Sequence, residues 1–591
     1  MAYNGAGTFL INSAGQPVVA GTTISETVFN ALTADLAAGL STAITKNGQT
    51  TPTANIPMGG FKLTGLGTGV ANTDAANVGQ VTPALITATG ATTARSAAAH
   101  FADTISFKDF GAVGDGVTDD TAAVQAALTA GGRFYLGASR YLISSALSTA
   151  AKVELIGVQG GLGIYDYTGS ITSGFVAAVP NLNLLTLTGS NSSITGVGFQ
   201  MAGNGANTSG AALTLGVATE ISVSRCHFNQ PYVGIDATGV GLTQNIASNI
   251  SECVFIAPVL AGIRLGVNSY SGNTVDTRIT DNNFIAFASN TASGVLMLEA
   301  GGVFFRGNSA YNMGYGLRIF PGSNQYVTGY FYDVLGDTSY VNDLFIDSNG
   351  GQYSDLVFTN TWAASCISGT SVFIGATAGV GYAGSVTFVN HKTILNNTAP
   401  GNFGMDIQGG DVLISDSRVG SKFAAYGSTA IRIGALVKSV SITGLRSFSM
   451  LAPSGGTYGV VGVGISAPAA TVFRVQGNDL SGATVPLSYT PTAGGSDTVI
   501  ISDNIGIDNI AVNVASASTI TLPHNSVIYL TGTTTINVMN GRWANRVVRV
   551  VAIAGLTLAA GPGGVATTTV LAVGQAATLT WGVSLNGWVV G

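Results

Sequence analysis

The sequence predicts an all-β fold: a single-stranded, right-handed parallel β-helix of about ten or more coils, with a small helical N-terminal anchor and a C-terminal β-rich module. Composition is the first observation behind this prediction. Charged residues make up 8% of the 591 residues, against about 25% in ordinary globular domains. Glycine occupies 82 positions, and Thr, Ser, Asn and Val are abundant, a mixture that favours strands and turns over helices.

An internal repeat is the second observation. Its copies begin with a β-branched or aromatic residue, at Val223, Ile250, Ile279, Phe305, Val389, Ile414, Val475 and Ile501. The first four are separated by 27, 29 and 26 residues. A period in the twenties with strand-forming residues is typical of a solenoid, and the leucine-rich consensus is missing, which leaves a parallel β-helix. We expect the Asn, Cys or Ser three residues into most copies to turn inward and bond to its equivalent one coil on.

Residues 1–100 differ from the rest of the chain. Val28, Leu32, Leu36 and Leu40 recur every four positions, which predicts a helix with one narrow apolar stripe and Ser25 or Thr27 as N-cap. The segments 55–63 (NIPMGGFKL) and 72–77 (NTDAAN) follow in an Ala/Thr/Gly-rich stretch. Both resemble elements near the N-termini of phage tail fibres and tailspikes. The resemblance implies that residues 1–100 attach the protein to a virion.

The stretch 105–131 contains the most specific motif, ISFKDFGAVGDGVTDDT followed by an Ala-rich segment. Gly-Asp-Gly indicates a turn with positive φ, and Asp119 or Asp120 is expected to cap a helix whose apolar stripe is Val124, Ala127 and Leu128. The motif resembles the opening of pectate-lyase-like β-helix proteins. A calcium loop is the alternative, but the closing Glu is absent, and no metal site is predicted.

The resemblance assigns residues 101–510 to the β-helix body. Residues 511–591 contain no Asp, Glu or Lys, and they hold Trp543, Trp581 and Trp588. They are similar to β-rich modules that follow phage β-helices, which implies a role in capping, trimerisation or binding.

Several classes of function are excluded by composition. A net charge of −6 without clustered Lys or Arg argues against nucleic acid as a partner. The sequence contains no apolar run of about 18 residues, so membrane insertion is not predicted. Three scattered cysteines, Cys226, Cys253 and Cys366, predict neither a disulfide framework nor a zinc site. The N-terminus lacks the features of a signal peptide, so we expect synthesis in a host cytoplasm, and no cofactor is predicted.

One region is rich in candidate site residues. Fourteen aromatic residues lie between Phe304 and Trp362, and five aspartates lie between Phe331 and Asp355. Aromatic rings stack on sugars, and hydrolysis of a glycosidic bond needs two carboxyl groups. The candidate catalytic residues are Asp333, Asp337, Asp343 and Asp347, and the candidate substrate-binding residues are Arg318, Tyr330, Tyr332, Tyr340, Tyr353 and Trp362. The alternative is that the aromatics stack inside the coils and the aspartates form turns.

Taken together, the resemblances imply a homotrimeric phage tailspike, located in the virion and joined to the tail or baseplate through its N-terminus. The expected activity is binding and depolymerisation of a bacterial surface polysaccharide, by glycoside hydrolysis or by lyase elimination. A non-enzymatic, receptor-binding tail fibre is the chief alternative. A secreted pectinase is a third, opposed by the tail-type N-terminus and the missing export signal. The catalytic set of polygalacturonases is absent, so no catalytic residue is carried over from the family.

Overall fold

The structure is a computed structural model. The structure describes residues 19–21, 23–41, 55, 60, 62–71, 74–75, 85–86, 95–96 and 104–591, the last with gaps at 159–170, 204–205, 217–218, 238–244, 267–273, 288–289, 365, 368–369, 376–383, 396–402, 422–428, 450–460, 466–471, 484, 490–497 and 508–510. The chain divides into two compact units, Met1–His100 and Phe101–Gly591.

The N-terminal unit contains a helix, Glu26–Ser41, and a short antiparallel pair, Leu85–Ile86 with Arg95–Ser96. Ser25 caps the helix, because its Oγ accepts a hydrogen bond from the Val28 amide at 3.3 Å. Leu36 and Leu40 of the predicted apolar stripe are 38% and 70% exposed. Most of the two tail-type motifs lies outside the described residues. Within the described part of the chain, no helix has the length and apolar character needed to cross a membrane.

The second unit is a parallel β-helix, as the repeat predicts. Its strands form three longitudinal faces, which we call A, B and C, and faces A and C together make a 27-stranded sheet while face B is a 13-stranded sheet. Face A comprises Gly132–Gly137, Val153–Gly157, Ser193–Thr195, Ser222–Ser224, Asn249–Ser251, Arg278–Thr280, Ala300–Arg306, Tyr326–Tyr332, Gln352–Thr359, Ser385–Val389, Val472–Gln476 and Thr498–Ser502. Face B comprises Asp115–Asp119, Arg140–Ile143, Gly174–Ala177, Gly198–Gln200, His227–Asn229, Val254–Ile256, Asn283–Ile285, Ser309–Tyr311, Leu335–Asp337, Trp362–Ala364, Lys392–Leu395, Arg418–Ser421 and Arg446–Ser449.

Face C comprises Leu147–Thr149, Leu185–Leu187, Ala211–Leu215, Val233–Ala237, Ala261–Leu265, Ser293–Met297, Tyr315–Ile319, Asn342–Asp347, Val372–Gly375, Val461–Ile465 and Val485–Tyr489. Two long strands, Phe403–Ser415 and Thr429–Thr443, begin on face C and end on face A. Two short strands, Asn245–Ile246 and Thr274–Val275, also pair within the larger sheet.

The N-terminal end of the β-helix is closed by a 3-10 turn, Phe107–Phe110, and a helix, Thr121–Ala130. Val124, Ala127 and Leu128 are fully buried, so the predicted stripe covers the end of the stack. Asp120 stands at the N-cap position without a capping bond. Its carboxylate instead accepts the amides of Val113 and Gly114, at 2.6 and 3.0 Å. The start of the Gly-Asp-Gly motif is therefore held by the side chain of Asp120.

The repeat register is confirmed by the strand pairing. Val223, Ile250 and Ile279 are direct partners on successive coils of face A. Further along the same column, Ile414, Ile442, Val475 and Ile501 align in the same way. The anchor Val389 was one residue out of register, because Phe388 is the partner of Phe358 and of Ile414. A shift of one residue exchanges the inner and outer sides of a strand.

A column of phenylalanine rings fills the interior and changes face partway along. On face B, Phe199, Phe228, Phe255 and Phe284 stack with ring centroids 4.7–4.9 Å apart. Beyond Phe284, face B presents Ala310, Gly336 and Ala363 inward. The rings continue on face A, as Phe305, Phe331, Phe358 and Phe388. Since interiors are close-packed, bulk lost from one face is replaced on another.

The corner between faces A and B is a two-residue turn that repeats in every coil. Its first residue has positive φ, and the column comprises Gly196, Arg225, Glu252, Asp281, Gly307, Asp333, Asn360, Asn390, Asp416, Gly444, Gly477 and Asp503. Its second residue points inward and forms the predicted ladder. The Cys253 amide donates to Asn282 Oδ1 at 2.9 Å, and the Asn282 amide donates to Asn308 Oδ1 at 3.0 Å. These bonds satisfy buried backbone donors that the turn leaves without a strand partner.

The C-terminal module follows the last coil. Its main sheet has five strands, Val512–Ala515, Val527–Thr531, Val547–Ala552, Ala576–Gly582 and Gly587–Val590. Two strand pairs and a 3-10 turn complete it, Thr519–Thr521 with Val538–Asn540, Leu556–Leu558 with Thr569–Leu571, and Val583–Leu585. Trp581 and Trp588 are buried in its own core. Trp543, which is 4% exposed, instead joins the core of the β-helix.

Candidate functional site

The predicted site residues are distributed over the faces of the β-helix, because successive residues wind around a coil. Tyr330 and Tyr332 project outward from face A, where they align with Phe304 and Arg306. Tyr330 is 50% exposed. Asp333 is the positive-φ corner residue of the same coil, and Arg306 Nε lies 3.8 Å from its carboxylate. These residues lie at the corner of faces A and B.

Trp362 lies at the same corner, as the first residue of its face B strand. It is 41% exposed, and its strand is the coil neighbour of the strand that begins at Leu335. The structure therefore brings four of the ten predicted residues to one corner: Tyr330, Tyr332, Asp333 and Trp362.

Arg318 and Asp347 lie elsewhere, on the outer side of face C, where Arg318 pairs in register with Phe345. The Arg318 guanidinium carbon lies 4.7 Å from the ring centre of Tyr315, 4.4 Å from that of Phe320 and 5.5 Å from that of Phe345. Burial among these rings lowers the pKa of Arg318. Arg318 thus has an aromatic environment of its own, on a different face from the corner.

Asp343 and Tyr353 point into the interior, which does not fit the roles predicted for them. Tyr353 is fully buried, and its hydroxyl donates to the Gly375 carbonyl at 3.1 Å, so it cannot serve as a stacking platform. Asp343 is 4% exposed. Burial raises the pKa of Asp343 to about 7. The nearby hydroxyls of Ser339 and Ser371 lower this pKa in part, although neither makes an aligned hydrogen bond to the carboxyl group. A polymer at the surface cannot reach this carboxyl group.

The two remaining candidates lie beyond the corner. Asp337 ends its face B strand and accepts a hydrogen bond from the Thr338 hydroxyl at 2.9 Å. Tyr340 follows in the connection to face C and is half-buried. The four candidate aspartates therefore occupy four different environments, and Asp333 alone among them lies at the corner.

The corner continues towards the C-terminus as a column of cationic side chains that the sequence analysis missed. Trp362, Lys392, Arg418 and Arg446 are direct partners on four successive coils. Lys392 Nζ lies 5.3 Å from the centre of the Trp362 ring, and Arg418 and Arg446 are exposed. We call the outward residues Tyr330, Tyr332, Asp333, Trp362, Lys392, Arg418 and Arg446 the corner surface. Neighbouring strands are about 4.8 Å apart, so like charges stack closely along it.

A cavity of about 520 Å³ lies at the C-terminal end of the corner surface. Its walls carry three carboxylates, Asp416, Asp479 and Asp503, and two guanidinium groups, Arg418 and Arg446. We call this cavity the charged pit. Its floor includes Gly444 and Gly477, the corner residues of two consecutive coils, with φ of +65° and +63°. Since neither residue has a side chain, the corner is hollow between Asp416 and Asp503.

The arginines of the pit differ in their ion pairing from the arginines of face C. There, Asp236 pairs with Arg264, and Asp406 pairs with Arg432, each between partners on adjacent coils. Within the described ranges, Arg418 and Arg446 belong to none of the ion pairs. Like charges on neighbouring strands are destabilising, so this column does not contribute to stability in the way that the face C pairs do. No cluster of the described His, Cys, Asp and Glu residues is arranged to hold a metal ion.

Comparisons with known proteins agree with the fold. Residues 104–318 match the family described as rhamnogalacturonase A/epimerase, pectate lyase-like, which confirms the resemblance seen in the opening motif. Mannuronan C5-epimerase AlgE2 of Azotobacter vinelandii is 35% identical over 111 residues, which are 15% of this chain and 11% of that protein. The chain thus spans about a tenth of that relative's length.

Two solved tailspike structures also align with the chain. One is the tailspike of E. coli bacteriophage HK620 with a pentasaccharide, at 12% identity and a TM-score of 0.41 over 84% of this chain and 86% of that chain. The other is the Dettilon tailspike, at 15% identity and a TM-score of 0.37 over 68% of this chain and 71% of that chain.

Proposed function

We propose that this protein is a bacteriophage tailspike that binds a bacterial surface polysaccharide along the corner surface and depolymerises it. The observation that carries the proposal is the corner surface itself. It aligns exposed aromatic and cationic side chains along the axis of a rigid stack, ending at the charged pit. From the coil of Trp362 to that of Ile505, at the far side of the pit, five strand spacings give about 24 Å. An extended segment of several sugar units matches that length.

Two further observations support the proposal. Residues 104–318 match a pectate-lyase-like family described by a rhamnogalacturonase and an epimerase, and the relative AlgE2 is named for its action on mannuronan. The segments 55–63 and 72–77 resemble the N-termini of phage tail proteins. In this proposal residues 1–100 attach the protein to the phage tail or baseplate, and the functional particle is a homotrimer within the virion.

The proposal is tested by incubating the purified protein with the host's surface polysaccharide. New reducing ends are expected if the polymer is hydrolysed, and unsaturated uronates if it is cleaved by elimination. Binding without either product would support the alternative, a purely adhesive tail fibre, which the dispersal of the four candidate aspartates favours. If the protein neither binds nor cleaves any surface polysaccharide of a susceptible host, both the depolymerase and the adhesive function are contradicted.

The corner surface is tested separately by replacing Trp362 with Ala. The variant should bind the polysaccharide more weakly, because it loses an exposed ring on which a sugar can stack. Tyr311→Ala is the matched control, since Tyr311 is similarly exposed, at 47%, but lies at the far end of a face B strand. Equal affinities for the two variants would place the binding surface on another face.

A further inference from the structure

We infer that face C carries a second polysaccharide-binding site, separate from the corner surface, in which Arg318 binds the carboxylate of an acidic sugar. The inference rests on the proposed function for the kind of ligand, and it goes beyond that proposal in the surface used and the group bound. Arg318 is the sequence candidate that the structure places in an aromatic environment on face C. The contacts of its guanidinium group carry the inference.

The outward column of face C shows what Arg318 lacks. Two other arginines of this column form ion pairs with their register partners on the preceding coil: Arg264 with Asp236, and Arg432 with Asp406. The register partners of Arg318 are Leu296 on one side and Phe345 on the other. Over the described ranges, Arg318 takes part in none of the ion pairs. Its neighbours in the column therefore offer it no carboxylate.

Aromatic rings hold the guanidinium group of Arg318 from one side. Its central carbon lies 4.7 Å from the ring centre of Tyr315 and 4.4 Å from that of Phe320. Its Nε is buried without a hydrogen-bond partner, whereas its two terminal nitrogens are not buried and bond to none of the described residues. Every nitrogen of the group carries N–H donors. The inner nitrogen is thus covered by the rings, and the outer two present unpaired donors to solvent.

The acid that acts on the charge of Arg318 does not neutralise it. This acid is Asp347, which raises the pKa of Arg318 against the effect of burial. Its Oδ1 accepts the amide of Asn349 at 3.1 Å, and no ion pair joins the two side chains where the chain is described. Guanidinium groups bind planar carboxylates through two parallel hydrogen bonds. The outer end of Arg318 is therefore suited to a carboxylate from outside the chain.

An apolar strip next to Arg318 narrows the ligand class. Phe345 and Phe373 are register partners on the next two coils, with ring centroids 5.0 Å apart and planes inclined by 15°. Both rings are half-buried. A bare inorganic anion would gain nothing from this strip, whereas a sugar ring has C–H groups that can pack against it. An acidic sugar offers both the carboxylate and the apolar surface.

The site on face C is distinct from the corner surface. Arg318 lies on face C, and Trp362 lies at the corner of faces A and B. Their coils are two apart, which is about 10 Å along the axis, and the packed interior lies between them. One sugar unit therefore cannot contact both residues, so face C holds a second segment of polymer. Two contacts on one polymer raise the overall affinity without any further interaction.

The experiment measures the affinity of the full-length protein for short oligomers of mannuronan, a polyuronate. The comparison starts from Trp362→Ala, in which the corner surface is weakened and face C is intact. Adding Arg318→Gln should lower the remaining affinity about 10-fold or more, because a charge-assisted pair of hydrogen bonds is lost. Adding Arg318→Lys should lower it less, because lysine keeps the charge without the planar fork.

The matched control is Arg549→Gln, which removes the same charge from an exposed position in the C-terminal module. Added to Trp362→Ala, it should leave the affinity unchanged. Oligomers whose carboxyl groups have been reduced to alcohols provide a second control, since they should bind equally well with and without Arg318→Gln.

Native oligomers that bind equally well with and without Arg318→Gln would overturn the inference. Displacement of the oligomers by inorganic phosphate at the same concentration would overturn the assignment to a sugar carboxylate. A wild-type protein that binds the host polysaccharide but no mannuronan oligomer would overturn the inference and leave the proposed function intact. If the wild-type protein binds neither, the proposed function fails as well.

Discussion

Asp343 packs against Gly336 inside the β-helix: a Cβ atom on Gly336 would come within 2.7 Å of the Asp343 Cβ. The two residues lie where the interior phenylalanine column has left face B. In an earlier coil, Gly262 lies against the ring of Phe284. A Cβ atom added to Gly262 would be 2.5 Å from Cδ1 of that ring. With alanine and glycine in place of the ring, the interior has room for a carboxyl group on face C.

This carboxyl group should make the protein less stable as the pH rises. Its pKa is about 7 in the folded protein, against an ordinary value of 3.8. Below about pH 4 it is protonated in both states and has no effect. Between pH 4 and 7 the unfolded chain releases the proton and the folded chain retains it, so stability falls as pH rises and levels off above 7. The full effect is on the order of 4 kcal/mol.

The variant Asp343→Asn removes this titration. Thermal unfolding followed at a fixed scan rate should show a smaller drop in Tm from pH 4.5 to 8 than in the wild type. Asp347→Asn, at a half-exposed position on the same strand, should keep the wild-type pH dependence. An identical pH dependence in Asp343→Asn would mean that the buried carboxyl group does not control stability.

Ile279 tests the inner column of face A. Replacing Ile279 with Asp buries a carboxyl group among Ile250, Phe305 and their neighbours, at a cost of several kcal/mol, and should yield insoluble or protease-sensitive protein. Arg278→Asp is the control, because Arg278 is exposed on the same strand. This variant should remain soluble. Comparable yields of folded protein for the two variants would contradict the orientation of this strand.

Trp543 tests the C-terminal closure. Because its ring belongs to the core of the β-helix, Trp543→Ala should destabilise the last coils by about 3–5 kcal/mol. Hydrogen exchange should accelerate first in the strand Thr498–Ser502. The exposed neighbour Val547 can be replaced by Ala without this effect. Unchanged exchange in Trp543→Ala would show that another residue closes the stack.

A truncated chain beginning at Phe101 tests the division into units. It contains the whole second unit, so it should remain soluble and bind polysaccharide while failing to join phage particles. Size-exclusion chromatography and a particle-incorporation assay provide the measurements. Aggregation of the truncated chain would place the boundary elsewhere.

The sequence predicts the inner column of the β-helix well, because each position in it is constrained by the coils on both sides. Val223, Ile250 and Ile279 repeat with a strong local signature and align as expected. In the coils of Phe331, Phe358 and Phe388 the signature weakens. There the ladder position is Val334, Thr361 and His391 in place of Asn or Cys. The ring of His391 bonds to side chains instead of backbone amides, with its nitrogens 2.6 Å from the Thr361 hydroxyl and 2.7 Å from that of Thr393.

The candidate site was harder to predict for a geometric reason. Residues close in sequence, such as Asp333, Asp337 and Asp343, lie on different sides of one coil, whereas neighbours on the surface are a whole coil apart in sequence. Asp416, Gly444, Gly477 and Asp503 become adjacent only after the turns are aligned on their positive-φ residue. Asp281, Asp416 and Asp503 share one place in the repeat, but aspartate there is expected as a turn residue that satisfies backbone donors, so the alignment alone does not mark this column as a site.

In the turn between faces A and B, two adjacent residues are under different constraints. Its inward member is Cys, Asn, Thr, His, Ser, Val or Leu and must fit the interior, whereas its outward member ranges over Arg, Glu, Asp, Gly and Asn at one backbone conformation. In the proposed function, a substitution among these residue types at the outward member would change the surface offered to the polysaccharide without changing the packing of the interior. If the proposed function holds, recognition of a modified polysaccharide requires only single substitutions at this corner, without compensating mutations in the core.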